Sequence, residues 1–98
     1  MEKVKTFSKK KEKLKEPSDY DVILLNDNYT TMDFVVNILI SVFHKNIVEA
    51  QRIMMNVHRS GHGLAGRYSF DIAQTKALQV QSIARQNNFP LKCIVKAA

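Results

Sequence analysis

Residues 21–36 read DVILLNDNYTTMDFVV, and this stretch decides the fold. It opens as a short apolar, β-branched run, Tyr20 to Leu25, of the kind found in a largely buried strand. From Thr31 the period changes. Met32, Val35, Val36, Leu39, Ile40 and Phe43 recur at steps of three and four, which predicts an amphipathic helix capped by Thr30 or Thr31. Between the two lies a polar knot, Asn26-Asp27-Asn28-Tyr29-Thr30. Asn and Asp favour turns because their side chains satisfy neighbouring backbone groups, so the knot reads first as a turn.

Working outward, a second helix is expected from about Ile47 to Arg59, with Ile47, Ala50, Ile53, Met54 and Val57 inward. Gly61-His62-Gly63 stops it, as glycine beyond a helix end commonly does. Leu64 to Tyr68 suits a short strand. Ser69 can cap a third helix, with Asp71 in its first turn and Ala73, Ala77, Val80 and Ala84 as a small-residue stripe. After Asn87-Asn88-Phe89-Pro90, Leu91, Cys93 and Val95 alternate with Lys92, Ile94 and Lys96 as a half-exposed last strand. The order β-α-α-β-α-β predicts a two-layer α/β sandwich, a three-stranded antiparallel sheet with three helices on one face.

The chain of 98 residues allows one modest core. Of its net charge of +6, residues 1–16 carry +4, from seven Lys and three Glu. A flexible Lys/Glu-rich arm over 1–17 and a domain over 18–98 are therefore expected, with Pro17 marking the boundary. Because the folded part is nearly balanced in charge, nucleic-acid binding is not expected as its main function. No apolar run approaches the roughly 20 residues that cross a bilayer, and the start lacks the apolar stretch of a signal peptide. A cytoplasmic protein is the expectation, and the single cysteine, Cys93, accords with it.

Little reads as catalysis. His58 and His62 lack nearby acidic or sulfur partners for zinc, and the calcium-loop glycine and terminal glutamate are absent after Asp27. There is no Gly-x-Ser-x-Gly elbow and no phosphate loop, and Cys93 falls on an apolar face as a small core residue. Neither enzymatic activity nor a cofactor or metal is expected. His58 by itself reads as a surface histidine near a helix C-terminus.

The stretch Leu24-Leu25-Asn26-Asp27-Asn28-Tyr29-Thr30-Thr31-Met32-Asp33-Phe34-Val35-Val36 resembles the signature of the ClpS family. These are adaptors that deliver N-degron substrates to the Clp ATPase–protease. The likeness continues through Met54, Val57-His58, Gly61-x-Gly63, Ala73-Gln74-Thr75-Lys76 and Phe89-Pro90-Leu91, covering residues 19–98. Asn28 stands where many relatives have an acid, Thr31 where many have proline, and Gln74 at a commonly acidic position.

The resemblance implies a substrate whose first residue is Leu, Phe, Tyr or Trp. Asn26, Asp27 and His58 would hold its α-amino group. An ammonium donates three hydrogen bonds and accepts none, so acceptors and a carboxylate suit it. Leu24, Leu25, Thr30, Met32, Val35, Met54, Val57 and Leu91 would form the side-chain pocket, with Met32 as a gate against β-branched residues. Asp71, Gln74 and Lys76 would contact the N-terminal domain of a ClpA-type ATPase, with the ClpP protease an indirect partner, and the arm would serve delivery. Neither nucleic acid nor membrane is an implied partner. The alternative is an interaction domain of the ribosomal-stalk type, which shares the order of elements but has no reason to gather Asn26, Asp27, His58 and an apolar cavity.

Overall fold

The computed structural model describes residues 19–98; the predicted arm over 1–17 lies outside them. The elements are β1 (Tyr20–Leu25), α1 (Met32–Ser41), α2 (Ile47–Ser60), β2 (His62–Tyr68), α3 (Phe70–Gln86) and β3 (Lys92–Ala97). The strands form one antiparallel sheet in the order β2-β1-β3. This is the two-layer β-α-α-β-α-β arrangement expected from the pattern.

Strand β1 lies at the centre, and its alternation sets the layers. Val22 and Leu24 point into the core and are fully buried, so Asp21, Ile23 and Leu25 face the other side of the sheet. Helix α3 packs on all three strands, α2 on β2, and α1 on α2. The small stripe of Ala73, Ala77, Val80 and Ala84 is buried and brings α3 close to the sheet. Ile38, Leu39, Ile53 and Val57 fill the space beside it. Cys93 belongs to this core: its Sγ lies 3.5 Å from the Ala77 carbonyl oxygen, and burial pushes its thiol up to about 11. Such a thiol stays protonated and unreactive at neutral pH.

The helix ends show why the chain turns where it does. Thr31 is the N-cap of α1, its Oγ1 accepting the Phe34 N–H at 3.1 Å. Asn46 caps α2 in the same way, accepting from Glu49 N–H at 2.8 Å. Gly61 closes α2 in the left-handed region (φ 88°), a conformation glycine adopts without a Cβ clash. Ser69 stands at the N-cap of α3, but its side chain makes no capping bond.

Three expectations need correction. Strand β2 begins at His62 rather than Leu64, because Gly63 is buried and pairs with Leu24 despite its weak strand preference. Ile47 is half exposed: as the first residue of α2 it has no preceding turn to pack beside. Ile40, near the end of α1, also lies at the surface. No helix among the described residues is long and apolar enough to cross a membrane.

Candidate functional site

The turn between β1 and α1 is organised by one carboxylate. Asp27 Oδ1 accepts the backbone N–H groups of Tyr29 at 2.8 Å and Thr30 at 2.7 Å. Its Oδ2 accepts the Thr30 hydroxyl at 2.7 Å. Partial burial alone would raise the carboxyl, but the Thr30 N–H, the Thr30 hydroxyl and the Tyr29 N–H outweigh it and hold Asp27 below the usual carboxylate range. Asp27 is thus a turn-former that keeps its negative charge. A second bond anchors the start of the turn: Asn26 N–H donates to the Gly61 carbonyl at 2.9 Å. Since Gly61 ends α2 and its own N–H caps Val57, the loop is tied to the helix end that carries His58.

A hollow of about 450 Å³ opens between this loop, α1 and α2. Asn26, Asp27 and His58 line it together with Thr30, Met32, Val35, Met54 and Val57. The polar groups come from the turn and the last turn of α2. The apolar groups come from the inward faces of the two helices, with Met32 exposed at the first residue of α1. His58 is exposed where it lines the hollow. The arrangement offers an amide, a carboxylate and an imidazole beside apolar wall, and so suits a small cation attached to an apolar group.

Other residues expected at the pocket lie elsewhere. Leu24 and Leu91 are buried in the core and line no part of the hollow. Leu25 follows Leu24 on a strand, so it faces the opposite side of the sheet, where it lines a second hollow. Asn28, Tyr29 and Thr31 also line the first hollow, beyond the residues that the resemblance implies. Their signal was only their place inside the loop. Asp71 and Gln74 are exposed on α3. Lys76 is half-buried, its Nζ donating to the Val42 carbonyl at 2.8 Å and lying 5.3 Å from the Tyr68 ring centroid. No cluster of three or more metal-ligating side chains occurs among the described residues.

Comparison with known proteins gives this geometry a context. The sequence profile of the ATP-dependent Clp protease adaptor protein ClpS matches residues 15–94. The ATP-dependent Clp protease adapter protein ClpS of Syntrophus aciditrophicus is 57% identical over 82 residues, spanning 84% of this chain and 77% of the relative. That of Acetivibrio thermocellus is 51% identical over 94 residues, spanning 94% and 95%. Among solved structures, Agrobacterium tumefaciens ClpS2 bound to L-phenylalaninamide superposes with a TM-score of 0.80 at 35% identity. The match covers 85% of this chain and 100% of that one. With the profile spanning most of its length and relatives above half identity, the chain belongs to the ClpS family of Clp protease adaptors.

Proposed function

We propose that this protein recognises polypeptides by a free α-amino group and a bulky apolar first side chain, Leu, Phe, Tyr or Trp, and delivers them to a ClpA-type ATPase and its ClpP protease. The observation that carries the reading is the hollow itself, with Asn26, Asp27 and His58 beside Val35, Met54 and Val57. The phenylalaninamide bound by the related ClpS2 has both recognised parts, a free amine and a phenyl ring. Asn26 Oδ1 and a neutral His58 nitrogen would accept from the ammonium, and the charge of Asp27 would attract it. Asp71 and Gln74, exposed on α3, would meet the ATPase. Lys76 would join them only by leaving Val42, which makes it the costlier contact. Binding and hand-over need no catalysis and no cofactor, and the reading places the protein in the cytoplasm.

The test compares a peptide beginning with Phe and its N-acetylated form in binding to the full chain. Acetylation turns an ammonium into a neutral amide with one donor, and it should weaken binding at least tenfold. Equal affinities would overturn the reading.

Met32 stands exposed at the hollow, where its flexible side chain can fold over an unbranched guest. Ile and Val branch next to the ammonium and cannot turn away without disturbing it. Met32→Ala should therefore improve binding of Ile- and Val-peptides about threefold to tenfold, with Leu- and Phe-peptides unchanged or slightly weaker. If affinities across these four peptides keep the parent's ratios, Met32 is no gate.

A further inference from the structure

Two of the groups that face an ammonium in the first hollow stand on elements far apart in the chain. Asn26 follows β1, and His58 lies in the last turn of α2. The three bonds of Asp27 reach only Tyr29 and Thr30, so they shape the loop without attaching it to α2. Gly61 supplies an attachment. Its carbonyl accepts the Asn26 N–H at 2.9 Å, and its own N–H donates to the Val57 carbonyl at 3.0 Å. His58 is the residue after Val57, so one bond of Gly61 leads to the imidazole's turn and the other to Asn26.

These two bonds lie on either side of a single Cα, and the dihedrals of Gly61 set the angle between them. They are φ 88° and ψ −11°, in the left-handed region that L side chains rarely adopt. No other residue shares the turn: α2 ends at Ser60 and β2 begins at His62, which pairs with Leu25. A residue relaxing to an ordinary φ of about −60° would rotate its carbonyl by roughly 150° about the N–Cα bond, away from Asn26. Space is not the constraint here. A Cβ on Gly61 would meet nothing within 4 Å, so a substitution tests conformation and not packing.

We propose that Gly61 is a positioning residue for amine recognition: its left-handed conformation aims the carbonyl that holds Asn26 against the end of α2, and so sets Asn26 and His58 at the spacing an ammonium bridges. This rests on the function proposed above, because it needs a free amino group as the guest. The apolar wall of Val35, Met54 and Val57 stands on α1 and α2 themselves. Loss of the Gly61 bond therefore costs recognition of the amine and spares recognition of the side chain. A general loosening of the fold would weaken both alike.

The experiment compares the full chain with Gly61→Val and Gly61→Asn, well below their unfolding temperatures. Three labelled peptides serve: one beginning with Phe, its N-acetylated form, and one beginning with Ala. The parent should prefer the free amine about tenfold over the acetylated form, and Phe about tenfold over Ala. Valine, β-branched and strained at positive φ, should cut the amine preference to about threefold while leaving the Phe-over-Ala ratio within about twofold of the parent's. Asparagine tolerates the left-handed region and should keep most of the amine preference. The inference fails alone if the valine variant keeps the parent's amine preference, if both its preferences fall together, or if asparagine loses as much as valine. If the parent itself shows no preference for the free amine, the inference and the function it rests on fall together.

Discussion

Asp27→Ala should weaken binding of a Phe-peptide more than a hundredfold, whereas Asp27→Asn should lose about tenfold. The two variants separate the two tasks of this side chain. Asp27 accepts two backbone N–H groups and one hydroxyl, and these three bonds shape the loop that edges both hollows. Alanine removes all three, and a loop that must order itself on binding costs about 1–2 kcal/mol per residue fixed. Loss of the charge beside an ammonium adds to this. Each bond to a charged group contributes about 1.5–3 kcal/mol, so a hundredfold, near 2.7 kcal/mol, is a modest expectation. Asparagine keeps an oxygen for the Tyr29 and Thr30 N–H groups, and its NH2 can donate to the Thr30 hydroxyl oxygen. The turn survives and only the charge is lost. An alanine variant that binds like the parent would show that the loop needs no such brace.

The acid response of this brace has a definite sign. Asp27 is held below its ordinary value in the folded protein. Its stabilisation is therefore fully present above the unfolded value of about 3.9 and is lost as pH falls through the lower folded one. Between pH 7 and 5 the loop keeps its three bonds. A fall in peptide binding across that interval belongs to another group of the hollow.

The polar knot shows how far the sequence could be read. That Asn26 to Thr30 form a turn, and that Thr31 can cap the helix, follows from side-chain chemistry acting over three residues, and both features are present. The inward faces of α2 and α3 were equally legible, since a buried stripe recurs at helical spacing. What local pattern could not supply was the meeting of the loop with α2. The bond from Asn26 to Gly61 joins residues far apart in the chain, and only folding brings His58 to the hollow. Strand alternation alone separates Leu24 from Leu25, whereas the family likeness implies both in one pocket. The core positions of Leu24 and Leu91 depend on how the helices, α3 above all, cover the sheet, which periodicity does not fix.

Gly63→Val should destabilise the domain by about 3 kcal/mol or more and should weaken peptide binding in the molecules that remain folded. Gly63 pairs with Leu24, at the centre of the sheet, directly beneath α2. A Cβ there would lie 2.8 Å from Val57 Cγ2 and 3.2 Å from the Ile53 carbonyl oxygen. The first neighbour is a β-branched side chain, held near one rotamer in a helix, and the second is backbone. Neither can swing aside, so α2 must lift from β2. Overpacking of this kind costs about 1–3 kcal/mol for extra methylenes, and valine places three carbons where none fits. For a small domain whose whole stability is of order 5–15 kcal/mol, that is a large share. The consequence for binding follows from the same contact. Val57 lines the first hollow, His58 is the next residue, and Gly61 holds the loop through Asn26. Lifting α2 therefore moves the imidazole and loosens the loop together, although Gly63 lines neither hollow. Gly63→Ala should show the same two effects at about half the size. Denaturant midpoints of the three proteins, with peptide affinity measured well below the transition, provide the check. A valine variant as stable as its parent would mean that α2 rests on the sheet less tightly than the 2.8 Å approach requires.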